Sequence, residues 1–295
     1  MSTVEIEDTY AEAFDGTVCQ ILVTARNDRL LKKAVFSFVA LPSTVFGDAE
    51  GGLVRWVNKE DTPDGRPGAV VQLWTTGFNK KSIDTLYDKL GRRSRQGILV
   101  VPTTAIFNSL DSKDAFNMMN NVGHCGDGYE EIIEKYGRKV ISVPIMFGED
   151  FLVEENICYQ HGIMGGNLWF FCDSIDSALN AGEKAVNTIL EIEGVITSFD
   201  ICSAGSKVET NFPEIGPTTN HWFCPTLKGK IDDSKVPKGV KSIPEIVING
   251  IDMDHVKLAM KRTIEEVGDT RGLLKISAGN FGGKLGKYKI YLKDL

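Results

Sequence analysis

The sequence predicts an α+β protein in which one split β-α-β plan is used twice, because three observations agree. Apolar runs of strand length alternate with stretches of helical periodicity, and the same succession recurs in both halves. The length, 295 residues, is about two domains' worth of chain. With 42% hydrophobic and 25% charged residues the composition is globular, which excludes collagenous and wholly disordered chains.

The run VCQILVTA at 18–25 reads as a buried strand. Residues 27–41 follow as a helix with Leu31, Ala34, Val35 and Phe38 on one face and Asn27 or Asp28 as its cap. After Pro42, short apolar runs around Val45 and at Leu53 to Val57 give further strands, and DTPDGRPG at 61–68 leads into the strand AVVQLWTT. A second helix carries Ile83, Leu86, Tyr87 and Leu90 on one stripe and stops at Gly91; GILVVP at 97–102 is then a strand. The order is β-α-β-β-α-β. Arg92, Arg93 and Arg95 read as a solvated helix end.

The second half repeats the order. NLWFFC at 167–172 is a strand, and the next helix puts Ala178, Leu179, Ala185, Val186, Ile189 and Leu190 at core spacing, ending at Gly194. GVITSFD and EIVING (245–250) are strands. A helix with Val256, Ala259, Met260 and Val267 inward, and the strand GLLKISA (272–278), complete the unit. Two ferredoxin-like lobes follow, each an antiparallel sheet covered by two helices, at 1–145 and 146–295. Two long inserted loops, 103–166 and 201–244, interrupt the plan; insertions of that length are functional or disordered, and Phe107, Phe116, Trp222 and Phe223 speak against a disordered linker.

No apolar run approaches the ~20 residues of a spanning helix, so no membrane span is expected. The start, MSTVEIEDTY, carries acids where a signal peptide carries bases, and the six cysteines (19, 125, 158, 172, 202 and 224) form no CxxC pair, which suits reduced thiols in a cytoplasm. A formal charge of -7 argues against nucleic acid as a partner.

Thiol chemistry is weighed first, at His124 with Cys125 and His221 with Cys224, but neither pair has an evident orienting group and buried inert thiols are the simpler reading. HWFC offers half a metal site without a second ligand pair, and His161 and His255 stand alone. SAGNFGGKLGK lacks the spacing of a phosphate loop; its glycines serve either turns or close approach of a ligand. Glu245 opens the apolar strand EIVI after Pro244. It is either a desolvated carboxyl of raised pKa or an exposed strand-end acid.

In this order the segments IEDTYAEAF, TPDGRPG, PTTAIF, GDGYE, YGRKV, GSKV, TTNH, CPTLKG and KISAGNFGGKLGKY run from Ile6 to Tyr288, and the chain resembles the formylmethanofuran:tetrahydromethanopterin formyltransferase family. The resemblance implies reversible transfer of a formyl group from N-formylmethanofuran to N5 of tetrahydromethanopterin, by direct attack through a tetrahedral intermediate. It implies coenzyme substrates but no prosthetic group or metal, a cytoplasmic homotetramer, and active sites in clefts formed with a neighbouring subunit. Glu245 matches the family's catalytic glutamate and would shuttle the proton, help worth ~10²- to 10⁴-fold. Arg66, Lys207, Lys228 and Lys275 are implied contacts for the substrates' carboxylates and phosphate. Thr103, Thr104, Asp127, Ser206, Thr218, Thr219, Asn220, His221, Ser277 and Asn280 are the other implied substrate-site residues. The alternative is a non-catalytic pterin-binding or complex-forming relative.

Overall fold

Strand-forming sequence dominates the chain, which folds as a mixed α+β protein. The computed structural model describes residues 4–207 and 209–295; the first three residues and Val208, the last of the GSKV segment, lie outside them. Residues 16–162 form one compact unit, and residues 4–15 with 163–295 form another.

In the first unit the strand Tyr10–Thr24 contributes residues 16–24, which pair antiparallel with Gly68–Thr76 on one side and with Ala105–Asn108 on the other. Glu50–Val57 pairs with the outer side of Gly68–Thr76. Helix α1 (Asp28–Val39) starts where the Asn27 side chain accepts from the Leu30 N–H at 3.0 Å, and α2 (Lys80–Arg93) where Asn79 accepts from Ser82 at 3.2 Å. Each cap satisfies a donor that the first helical turn leaves without a partner. Leu31, Ala34, Val35 and Phe38 are all buried, in one cluster with Val71, Leu73, Leu86 and Ile106.

Four expectations fail in this unit. Residues 97–102 are not a strand: Ser94–Leu99 continues α2 as a π-helical turn, and the closing strand is Ala105–Asn108. Gly97 lies against the backbone of α1, with Phe38 N 3.1 Å from where a Cβ would stand, and the Thr104 hydroxyl donates to Ile98 O and Val101 O. A short apolar run cannot be assigned by periodicity alone, and here these contacts decide it. Gly91 does not stop α2; it is buried there because the Asn121 side chain occupies the space of its absent Cβ. Around Val45 the backbone makes the 3-10 turn Thr44–Phe46, not a strand. Arg93 is likewise no solvated helix end, since its guanidinium donates to the carbonyls of Phe38, Ala40, Leu41 and Ala49 and ties α2 to the end of α1.

The 103–166 insertion is folded sheet. Glu131–Lys135 and Arg138–Val143 form a hairpin, Phe151–Glu154 joins it, and that strand runs parallel to Ala105–Asn108.

In the second unit, residues 163–172 of the strand Asn156–Cys172 pair antiparallel with Glu245–Gly250 on one side and Leu273–Ser277 on the other, and Val195–Ile196 lies outside Glu245–Gly250. Helices α3 (Ile175–Leu190) and α4 (Met253–Val267) are capped by Ser174 and Asp252. Ala178, Ala185, Ile189, Val256, Ala259, Met260 and Val267 fill the core. Leu179, expected in that core, is 48% exposed, and only Val195–Ile196 of GVITSFD is strand. The 201–244 insertion holds the short pair Ser206–Lys207 and Thr218–Thr219 among 3-10 turns. Among the described residues no helix is long and apolar enough to cross a membrane.

Gly91→Ala places a methyl group inside the Asn121 side chain, which is itself held by hydrogen bonds to Tyr87 and Arg95. A loss of about 1–3 kcal/mol is expected from urea unfolding, the usual cost of an overpacked site. An unchanged midpoint would restore the helix-stop reading.

Candidate active site

Glu245 begins the strand Glu245–Gly250, and two pairings fix it. Trp169 lies opposite in the antiparallel register, and on the other edge the Glu245 N–H donates to Cys202 O while Cys202 N–H donates to Glu245 O, both at 2.9 Å. The residue is 8% exposed. Its Oε1 accepts from Asn167 Nδ2 and from Trp169 Nε1, each at 2.9 Å, and the Cys202 side chain bonds to the same carboxyl. Burial pushes the Glu245 carboxyl above its ordinary range, and the Trp169, Asn167 and Cys202 bonds draw it back without cancelling the rise. The sequence alternatives for Glu245 thus resolve to the desolvated acid.

Glu245 forms part of the wall of a cavity of about 450 Å³, a size suited to a small organic ligand. Trp169, Phe223, Ile175, Leu179 and Ile201 make its apolar side, with the Trp169 and Phe223 rings edge to face at 4.9 Å. That is why Leu179 is not in the core: it faces the cavity. Thr219 and Asn220 line the polar side with Ser203 and Cys224. The Thr219 hydroxyl donates to Ala204 O at 2.7 Å, and Asn220 is buried.

The remaining candidates of this unit occupy other places. Lys207 is buried, with Nζ 2.8 Å from His221 Nδ1 and 5.0 Å from the centre of the Trp222 ring. Ser206 and Thr218 sit on the short strand pair beside it. Lys228 donates to Pro237 O. Lys275 pairs with Glu7 at 3.0 Å and stands over Phe171, and Ser277 shares the Glu7 carboxyl. Asn280 Nδ2 donates to Thr9 Oγ1 at 2.7 Å.

In the other unit Arg66 donates from Nε and Nη2 to Asp64 Oδ2, at 2.8 and 2.6 Å, and from Nη1 to Thr103 O. Thr103 holds a left-handed backbone at φ 65°, a strained state for a β-branched residue, and its hydroxyl accepts from Arg26 N–H. Thr104 is buried on the carbonyls of Ile98 and Val101, and Asp127 is an exposed left-handed turn residue at φ 56°.

The thiol readings lose their partners. His221 Nδ1 is taken by Lys207, Cys224 Sγ contacts Thr219 Oγ1 and Asn220 O, and His124 bonds Glu130 and Asn120. Burial pushes the Cys19 and Cys172 thiols up to about 12. Among the described residues no three His, Cys, Asp or Glu side chains gather as a metal site would require.

Sequence reasoning passed over Glu12, although an acid within the otherwise apolar run YAEAF was its signal. Glu12 is 2% exposed, and its two oxygens accept from the N–H groups of Phe281, Gly283, Leu285 and Gly286 at 2.6 to 2.9 Å. The glycine-rich run therefore wraps a carboxylate of its own chain. Asn167 and Trp169 were also missed; their signal was an amide and an indole in the strand NLWFF.

For Glu12, burial acts to raise the carboxyl, yet the backbone donors from Gly286, Phe281, Gly283 and Leu285 together hold it below the ordinary range. A depressed native pKa adds stability above the unfolded-state value, ~4.3, and that share is lost as pH falls through the native value. The stability gap between wild type and Glu12→Gln is expected to be widest above that pH and to close on acidification. A gap in chemical unfolding that stays constant from neutral pH into strong acid would refute the clamp.

Two family models cover the chain. That of formylmethanofuran-tetrahydromethanopterin formyltransferase matches residues 1–145, and that of the formyltransferase proximal lobe matches residues 149–295. A formylmethanofuran-tetrahydromethanopterin formyltransferase-like protein of Archaeoglobus fulgidus is 59% identical over 295 residues, covering 100% of this chain and 97% of the relative. The solved formyltransferase of Methanosarcina barkeri matches with a TM-score of 0.91 at 43% identity, over 99% of this chain and 98% of that one. A chain of the formyltransferase/hydrolase complex of Methylorubrum extorquens, solved with methylofuran, matches with a TM-score of 0.89 at 31% identity, over 99% and 96%. With both halves matched and the likeness running through sequence and fold alike, this chain belongs to the formylmethanofuran-tetrahydromethanopterin formyltransferase family of enzymes.

Proposed function

We propose that the protein moves a formyl group reversibly from the amine nitrogen of N-formylmethanofuran to N5 of tetrahydromethanopterin, with Glu245 carrying a proton between the two nitrogens. The observation that carries this reading is a carboxyl of raised proton affinity in the wall of a largely apolar cavity. N5 attacks the formyl carbon and a C–N bond forms while the carbonyl becomes an oxyanion. The ionised Glu245 accepts the N5 proton, then returns it to the methanofuran nitrogen as the old C–N bond breaks and the carbonyl re-forms. One group can serve both steps only if its proton affinity lies near the working pH, which partial compensation of its burial favours.

Thr219 and Asn220 beside the cavity, and Lys207 with His221 next to them, are the substrate contacts best supported by position. Arg66, Thr103, Thr104, Asp127, Ser206, Thr218, Lys228, Lys275, Ser277 and Asn280 keep their place as proposed contacts on the family resemblance. The two halves, with lobe boundaries at 1–145 and 146–295, are each read as a ferredoxin-like lobe, although residues 4–15 belong to the compact unit of the second half and residues 146–162 to that of the first. The strand orders support this, since in both units the closing strand lies beside the first and the second lies outside the third. A cytoplasmic homotetramer without prosthetic group completes the proposal. A larger assembly is the variant that the Methylorubrum extorquens complex brings forward.

A second reading, pterin binding without turnover, has one observation on its side. The relative at 59% identity is described as formyltransferase-like, while the formyltransferase of known structure stands at 43%. Formyl exchange measured with both coenzymes separates the two, since calorimetric binding with no transfer would favour the second.

Glu245→Gln is expected to lower kcat by ~10²- to 10⁴-fold, the usual worth of a general acid-base group. Near-normal transfer in the purified variant defeats the proton-carrying role. Cys224→Ala is expected to hold transfer within about threefold of wild type, because no thiol takes part in the proposed steps. Abolished transfer with an intact circular dichroism spectrum would instead revive a cysteine mechanism.

A further inference from the structure

We propose that the glycine-rich segment 279–286, clamped on Glu12, is a positioning element for Glu245 and acts on it through the side-chain amide of Asn167. The inference rests on the proton-carrying reading of Glu245 and concerns how that carboxyl is held.

Asn167 is 6% exposed and has one partner at each end of its amide. Its Oδ1 accepts from Gly279 N–H at 2.9 Å, and its Nδ2 donates to Glu245 Oε1 at 2.9 Å. A backbone N–H can only donate, so Gly279 decides which end of the amide turns to Glu245. With that bond in place Asn167 offers Glu245 a donor, which favours the ionised carboxylate. Without it the amide is free to turn over and offer Oδ1, which favours the protonated acid. The Gly279 bond therefore selects between two charge states of the group across the amide.

Gly279 has little freedom of identity or position. A Cβ there would stand 2.6 Å from Asn167 Nδ2 and 3.0 Å from the Trp169 ring. What holds the segment beyond it is Glu12, through the N–H groups of Phe281, Gly283, Leu285 and Gly286. Gly286 is equally constrained, since a Cβ would meet Ala13 O at 2.6 Å and Ala13 N at 2.7 Å. Hydrogen bonds to an ionised acceptor are about twice as strong as neutral ones, so the ionised Glu12 makes a firm anchor. The path runs from Glu12 to the segment, from Gly279 to Asn167, and from Asn167 to Glu245, all within one compact unit.

Other titratable and charged groups lie near this path, among them Glu7, whose carboxyl is shared by Ser277 and Lys275. Cys202 is the titratable group in contact with Glu245, and Lys241 lines the same cavity. Lys289 is paired with Glu12 in the strand register, with its ammonium 5.0 Å over the Tyr10 ring. Along the segment Lys284 pairs with Glu209 and, just past it, Lys287 pairs with Asp15.

The test compares pH profiles of kcat for formyl transfer in the whole protein, using both coenzymes, for wild type, Asn167→Ala, Glu12→Gln and the double variant. Losing the Asn167 donor disfavours the ionised Glu245, so the acid limb is expected to move to higher pH. A roughly tenfold fall in kcat should accompany it, with KM held within about twofold, the size expected for one hydrogen bond to a charged group. Glu12→Gln is expected to move the limb the same way, and the double variant no further than Asn167→Ala alone, because both act along one path. The infrared carboxyl band that Glu245→Gln removes reads the same protonation without turnover. Glu12→Asp, which keeps the charge but shortens its reach, replaces Glu12→Gln should that variant not fold. An acid limb and carboxyl band unmoved by Asn167→Ala overturn the proposal, and additive shifts in the double variant overturn the part played by Glu12. Full activity in Glu245→Gln is a different failure, that of the proton-carrying reading itself.

Discussion

Taking a carboxylate out of water is costly, and one unit of this protein does it twice with opposite results. Glu12 is met by four backbone N–H groups and ends below its ordinary pKa, so it is an ionised anchor. Glu245 is met by an amide, an indole and a thiol and ends above its ordinary pKa. Both groups have little exposed surface, but Glu245 lies deeper in the protein than Glu12, so desolvation and the donors together separate them. A carboxyl saturated by backbone donors serves structure, whereas one whose compensation is incomplete remains able to take a proton.

Strand register is what puts those donors around Glu245. The antiparallel pairing sets Trp169 directly across from it, and the alternation of faces along the strand sends Asn167, two residues before, to the same side. Cys202 arrives from the other edge through a reciprocal pair of backbone bonds. A slip of one residue would turn Asn167 and Trp169 to the opposite face and leave Glu245 buried without them. The sheet therefore positions the carboxyl, and the 201–244 insertion supplies much of the cavity wall through Phe223, Thr219 and Asn220.

The four α-helices found among the described residues were legible because each begins at a side-chain cap and carries its core residues at helical spacing, as Asn27 with Leu31, Ala34, Val35 and Phe38 shows. What was illegible depended on tertiary contacts. Ile98 sits in a run that would suit a strand, and the approach of Gly97 to α1, with the Thr104 hydroxyl on Ile98 O and Val101 O, makes it a π-helical turn. Gly91 carries the usual mark of a helix stop but makes room for Asn121 instead. Leu179 obeys the core spacing of α3 yet faces a cavity, a distinction invisible to periodicity. At the site the head of an apolar strand left Glu245 open as a desolvated acid or an exposed one, and the family resemblance singled it out. The clamp on Glu12 was not readable, because the loop that supplies it lies some 270 residues further along the chain.

The character of the partners around Glu245 bears on what that carboxyl is built to do. The Trp169 indole can only donate, and the Asn167 amide is held donor-first by Gly279. Partners of that kind oppose the neutral acid, while the apolar cavity and the burial oppose the anion. A site selected only to keep an acid protonated would present an acceptor to its O–H; a site selected only to keep a carboxylate would add a cation, and the groups that shift Glu245 include none. Burial prevails, since the carboxyl ends above its ordinary range, while the donors still give the anion partners. The proton-carrying role proposed for Glu245 needs a carboxyl that can take either form, and influences opposed in this way leave both open to it.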